Sequence, residues 1–254
     1  MKSFSLRYLF AVGAAVAVIS AACAQEPAII AKARARIGSE ALINGVKSIH
    51  YVGTLVTTDP KDPTKQQRAA IEIIFQKNDQ QRISATSDKL IETTALDGYE
   101  AWQRKQDAAD ATKWQQTLLG PEQVKRLRAN TFETLAFFRG LEARGGRIED
   151  QGTATIDGIN CQKIAFIHAP AIVFTRYFDL ATGKLVFTET EAGNSLREQG
   201  EIVEAGLRFP KTIVTTNKSS KGEVQTVTIN IEKVTVNESF PATFFRVPAL
   251  STKK

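Results

Sequence analysis

Glu189 and Glu191 stand two residues apart in a strand-like stretch, so their carboxylates share one face. A carboxylate pair can divide acid and base roles; a solvated outer face produces the same spacing. His50, His168 and Cys161 are the side chains that would bind zinc if they converged. They are far apart in sequence, and each also fits an ordinary strand position. The string Gly193-Asn194-Ser195-Leu196-Arg197 begins like a nucleophile elbow but lacks the second glycine. Nothing in the spacing favours a Ser-His-Asp arrangement. Gly145-Gly146-Arg147 is too short to cradle a phosphate. The polar residues therefore predict no catalytic site, no metal site and no cofactor, and an enzyme ranks third among the function classes.

The apolar residues offer a different chemistry. Ile71, Ile73, Phe75, Trp102, Leu135, Phe138 and Phe174 form a set that can line a ligand cavity. The same set can fill a core. A lipid pocket and a packed core share residue chemistry and differ in whether the volume is occupied.

Both readings need elements to hold these side chains. Residues 27–37 read as a helix, with Ile29, Ile30, Ala33 and Ile37 on one stripe and Gly38 as its stop. A helical turn at 39–42 follows. Strand composition then dominates at 48–58, 68–77, 81–86, 89–95 and 99–105, with Asp59-Pro60-Lys61-Asp62-Pro63, Asn78-Asp79 and Asp97-Gly98 as turns. Ile71, Ile73 and Phe75 alternate with Glu72 and Gln76, although Ile74 breaks the pattern. A polar loop at 107–113 leads to a short strand at 114–119. Gly120-Pro121 opens a helix over 121–138 that Arg139-Gly140 ends, with Val124, Leu127, Thr131, Leu135 and Phe138 on its buried stripe. Strands return at 152–156, 160–168, 172–178, 185–191, 195–204, 208–216 and 225–236. The expectation is an α+β fold: a large antiparallel sheet of about eleven strands that curls, with helices across its concave side. Two helices carry too little apolar surface to cover such a sheet, which is the physical route to a lipid-sized cavity.

Compartment comes from the N-terminus. Lys2 and Arg7 precede an uncharged run that ends in Ala22-Cys23-Ala24, the pattern of a secretory signal peptide over 1–24. Cleavage after Ala24 leaves a single domain, 25–254. Alternatively Cys23 is retained and acylated, anchoring the chain to a membrane. Either ending predicts a location outside the cytoplasm. If Cys23 leaves, Cys161 has no partner for an internal disulfide, which suits a small buried residue, the alternative being a reactive thiol or an intermolecular bridge. The chain has 33 Lys and Arg against 27 Asp and Glu. Without Lys2 and Arg7 the balance is 31 against 27, a net charge of about +4. That suits solubility, or attraction to anionic headgroups. Nucleic acid is not expected, because there is no basic stripe interleaved with aromatics.

The order of elements resembles the LolA/LolB-type lipoprotein carriers and their wider superfamily. The segments that carry the likeness are Ile37-Gly38-Ser39-Glu40-Ala41-Leu42 running into Val46-Lys47-Ser48-Ile49-His50-Tyr51-Val52-Gly53-Thr54, then Tyr177-Phe178-Asp179-Leu180-Ala181-Thr182-Gly183-Lys184-Leu185, and the ending Val236-Asn237-Glu238-Ser239-Phe240 with Phe244-Phe245-Arg246-Val247-Pro248. The resemblance implies a half-open β-barrel whose hollow, lidded by helices, holds acyl chains. It implies a non-catalytic periplasmic protein that carries or senses lipid or lipoprotein acyl chains. The alternative is an envelope-stress sensor with an envelope membrane protein as partner. No residue of this chain matches a carrier's functional motif, so none is transferred.

Overall fold

The computed structural model describes residues 26–59, 61–62, 64–218 and 223–249. The signal segment and Cys23 lie outside them, as do Pro60 and Pro63 of the turn expected at 59–63. β-Branched and aromatic residues at period two build the first meander: β1 (Ser48–Thr58), β2 (Gln66–Gln76), β3 (Gln80–Thr86), β4 (Leu90–Asp97), β5 (Glu100–Asp107) and β6 (Trp114–Leu118). The second run is β7 (Arg147–Ile156), β8 (Ile159–Ala169), β9 (Ile172–Asp179), β10 (Leu185–Thr190), β11 (Ser195–Gln199), β12 (Ile202–Glu204), β13 (Leu207–Phe209), β14 (Thr212–Lys218) and β15 (Val224–Val236). Thirteen of these form one antiparallel sheet in the order β6-β5-β4-β3-β2-β1-β15-β14-β11-β10-β9-β8-β7. Its two edges, β6 and β7, do not pair, so the sheet stays open.

The sheet has thirteen strands where about eleven were expected, and two expected strands are each cut in two. Gly200, at φ 63°, interrupts the stretch 195–204. Pro210 has no N–H to continue a ladder and interrupts 208–216. The freed pieces, β12 and β13, pair as a separate ribbon. That ribbon folds Leu207 and Phe209 into the main core beside Ile43, Val46, Ile49 and Tyr51. The curl is sharpened at a bulge between Val52 and Gly53, where β1 meets β15. A Cβ on Gly53 would sit 2.0 Å from the carbonyl oxygen of Asn230, so only glycine fits there.

Three helices close the concave side: α1 (Ala28–Ile37), α2 (Glu40–Asn44) and α3 (Pro121–Ala136). The apolar stripe of α1, Ile29, Ile30 and Ala33, packs on Ile164, Phe166 and Phe178 of β8 and β9. The close approach needs Gly183, where a Cβ would lie 2.9 Å from the backbone of Lys32. Helix α3 starts at Pro121, and the side chain of Gln123 accepts from the N–H of Gly120 at 3.1 Å. Its stripe buries Val124, Thr131 and Leu135. The helix stops at Ala136, two residues earlier than expected, because Phe137 and Phe138 take left-handed backbone angles, φ 48° and 72°. Two consecutive bulky residues there are strained. The surroundings enforce the turn. Arg34 of α1 is buried and donates through Nη1 to the carbonyls of Ala136 at 3.1 Å and Phe137 at 2.8 Å. Its Nε and Nη2 pair with Glu40 at 2.8 and 2.6 Å. A cation on the last carbonyls also suits the helix dipole.

The outer face of β2–β5 is covered as well. Register aligns Ile74, Arg82, Ala95 and Trp102 on that face. The C-terminal segment lies over them: Trp102 Nε1 donates to the carbonyl of Phe245 at 2.9 Å, and Arg82 donates to that of Phe244 at 2.9 Å. Burial on both faces explains why Ile74 breaks the alternation of β2. Replacing the fully buried Phe245 with alanine is expected to cost about 3–5 kcal/mol. Leu118→Ala, at a side chain on the exposed edge, is expected to change stability by about 0.5 kcal/mol or less. Urea unfolding of both variants checks this; equal effects would show that the tail does not hold the sheet.

Candidate functional site

Between α3 and the sheet lies a cavity of about 490 Å³. Its construction follows from register. On one flank Tyr51, Ile73 and Ile83 stand opposite one another across β1, β2 and β3. On the other, Ile229, Ile213 and Glu198 align across β15, β14 and β11, while Thr215, Leu196, Thr188 and Arg176 align across β14, β11, β10 and β9. The roof is α3 with Asn130, Glu133, Thr134 and the following Phe137 and Phe138. Asn130, Thr190, Asn194 and Asn217 add polar, uncharged groups to the wall, while Arg36, Glu201 and Arg208 add charged ones. Arg36 and Arg208 both pair with Glu201.

Helix α3 bridges the two flanks. On the β3 side, Thr131 Oγ1 and Asn130 Nδ2 donate to Oε1 of the buried Gln81, at 3.1 and 3.3 Å. On the β8–β9 side, the buried carboxylate of Glu133 meets His168 Nε2 at 2.7 Å and accepts from Nη1 of Arg176. The Arg176 guanidinium also lies 5.0 Å from the Phe138 ring centroid and 4.9 Å from that of Phe166. Each aromatic face favours the cation electrostatically.

Of the residues expected to bind a chain, Ile73, Phe75, Phe138 and Phe174 line this cavity. Ile71 belongs to the main core cluster, one alternation from Ile73 along β2. Leu135 borders a second hollow of about 610 Å³, on the side of α3 that faces the turns at Asn78-Asp79 and Gly98-Tyr99. Trp102 stands on the opposite face of the sheet, under the C-terminal segment, because its register partner is Ala95 and not an inward residue. The expectation missed Tyr51, Ile213, Ile229 and Glu198, whose convergence depends on pairing between distant strands.

The candidate polar sites disperse. Glu189 accepts from the Tyr177 hydroxyl at 2.8 Å, while Glu191 lies beyond β10, paired with Arg126 and accepting from the N–H of Val173 at 3.1 Å. His50 bridges Glu72 and Glu238, at 3.0 and 2.7 Å. Cys161 is fully buried, and burial pushes its thiol up. Among the described residues no three His, Cys, Asp or Glu side chains are grouped to hold a metal ion. Ser195 does line the cavity, but no histidine does. In the second hollow Asp79 loses solvation, which raises its pKa, but Arg144 and Arg128 outweigh this and hold it below the usual range.

The architecture is an open antiparallel half-barrel around a lidded, mainly apolar hollow. The solved structures narrow this to a fold. A LolA superfamily protein from Nitrosomonas europaea superposes with a TM-score of 0.54 at 11% identity, over 87% of this chain and 96% of its own. A candidate outer-membrane lipoprotein-sorting domain from Vibrio parahaemolyticus gives 0.54 at 10%, over 86% and 94%. A DUF1329 family protein from Desulfovibrio piger gives 0.54 at 7%, over 86% and 96%. The fold is LolA-like. No family model matches the sequence, and no curated protein matches it.

Glu198 has the most perturbed carboxyl in the cavity. It is only half-buried by surface area, since the cavity itself leaves part of it accessible, yet protein surrounds it. Burial raises its pKa from 4.5 to about 7, with Arg176 and Lys184 pulling the other way. The folded state therefore binds a proton that the unfolded chain has released. Glu198 costs no stability below its ordinary value, and the cost grows as pH rises through that interval toward 7. Glu198→Gln is expected to raise stability at pH 8 by about 1–3 kcal/mol and to change little at pH 4. Thermal melting at the two pH values checks this; an equal effect at both would contradict it.

Proposed function

We propose that this protein is a non-catalytic periplasmic binding protein that carries or senses lipid or lipoprotein acyl chains. The observation that carries the reading is the apolar cavity of about 490 Å³ beneath α3, a size within the roughly 300–1,000 Å³ of small-molecule sites. Each buried methylene contributes roughly 0.8 kcal/mol, so a chain of about a dozen gains about 10 kcal/mol before ordering costs. The proposed contacts are Ile73, Phe75, Phe138 and Phe174, with Ile213 and Ile229 from the opposite flank. Ile71 and Leu135 support them from the core, and Trp102 has no part in the contact. In this reading α3 is the lid, and the strained turn at Phe137 and Phe138 is where it hinges.

The envelope location rests on the N-terminal pattern: residues 1–24 act as the export signal and 25–254 as the domain. Intact mass of the secreted product distinguishes cleavage after Ala24 from an acylated Cys23. No helix among the described residues is long and apolar enough to cross a membrane.

Lipid mass spectrometry of the protein purified from membranes tests the reading. Co-purifying acyl lipid is expected, and Ile213→Trp, which fills the cavity, is expected to weaken capture of a fluorescent acyl probe at least about tenfold, from roughly two or more lost methylenes of burial. Recovery of no acyl ligand, with probe binding unchanged in the filled variant, would refute it. A sensor of a protein partner is the alternative role: cargo-free protein that co-purifies with an envelope membrane protein would favour it.

A further inference from the structure

Three carboxylates line the hollow; Glu133 and Glu201 are paired with arginines, and Glu198 is not. Glu198 stands opposite Ile213 in the β11–β14 register, and its side chain lines the cavity with Ile213, Leu196 and Tyr51. Among the described residues no group donates a hydrogen bond to this carboxylate and no cation pairs with it in contact. The cations nearby do not satisfy it. Arg176 gives its Nη1 to Glu133 and lies against phenylalanine rings. Arg36 and Arg208 are committed to Glu201. Lys184 acts on Glu198 only through space.

A half-buried acceptor with no protein donor gains free energy when a ligand supplies one. A second anion brought beside it adds repulsion in a poorly screened space. We infer that the cavity selects amphiphiles whose polar end donates a hydrogen bond, an amine, amide or hydroxyl, over fatty-acid anions, with Glu198 as the acceptor. This deepens the acyl-chain reading and rests on it. It also runs against the overall electrostatics, because the chain's net charge of +6, about +4 without Lys2 and Arg7, would by itself favour an anion.

The test uses the purified full-length protein at pH 8 with bound diphenylhexatriene, an uncharged fluorescent probe. Dodecylammonium, dodecanol and dodecanoate, all below their micellar limits, compete for it. Dodecylammonium is expected to displace the probe at about tenfold lower concentration than dodecanoate, with dodecanol between them. In Glu198→Gln, whose fold is verified by circular dichroism, the three are expected to fall within about threefold of one another. Dodecanoate displacing the probe as well as or better than dodecylammonium in the unmodified protein would overturn the inference, as would an unchanged ranking in Glu198→Gln. If the probe does not bind, or no chain displaces it, the acyl-cavity reading itself fails and the inference falls with it.

Discussion

The carboxylate of Glu133 is the joint on which the architecture turns. It projects from α3 and is shared by His168 of β8 and Arg176 of β9, near one edge of the sheet. The same helix grips β3, toward the other edge, through Thr131, Asn130 and Gln81. Six strands lie between β3 and β9 in the sheet order. An α-helix with side chains is about 10–12 Å across, so one helix can touch both flanks only if the sheet between them bends into a trough. Burying a charge is costly unless it is paired, and breaking such a pair strands its partner. Glu133, only 4% exposed, therefore fixes α3 at one height above the sheet.

The cavity follows from that height. Helix α3 has sixteen residues and reaches the trough along one stripe, while α1 and the β12–β13 ribbon occupy other stretches of the same concave side. The strands beneath present threonines at 188, 190 and 215 and partly accessible isoleucines and leucines, side chains that leave the space between lid and floor unfilled. The second requirement is a stop for the lid. Arg34 holds the last carbonyls of α3, and Phe137 and Phe138 turn left-handed immediately afterwards, driving both rings toward the hollow. Strain of this kind persists only where neighbours over-determine it.

Much of this was legible in the residues. Alternation located the strands, and Asn78-Asp79 marked a turn whose positive φ angles those residue types tolerate. Gly120-Pro121 marked the start of the lid helix. Its end was misread because Phe138 falls on the apolar stripe; what stops the helix is Arg34, a hundred residues away in sequence, and no local signal encodes that. Trp102 looked like a cavity residue because aromatic chemistry does not reveal which face of a sheet is inward. Only the tail, with Phe244 and Phe245, decides that the outer face of β5 is also dry. Glu198 gave no sign at all. In Leu196-Arg197-Glu198 it reads as one charge among several, and its placement inside depends on the register of β11 against β14.

The proposed function requires a hydrocarbon chain to enter the mainly apolar cavity beneath α3. Nuclear Overhauser contacts between a bound, isotope-labelled acyl chain and isoleucine methyl groups test it most directly. The account predicts contacts to Ile73, Ile213 and Ile229, which face the hollow, and none to Ile74, which is equally apolar but lies under the C-terminal tail. Contacts to Ile74, or to surface methyls with none from the three inward residues, would contradict it.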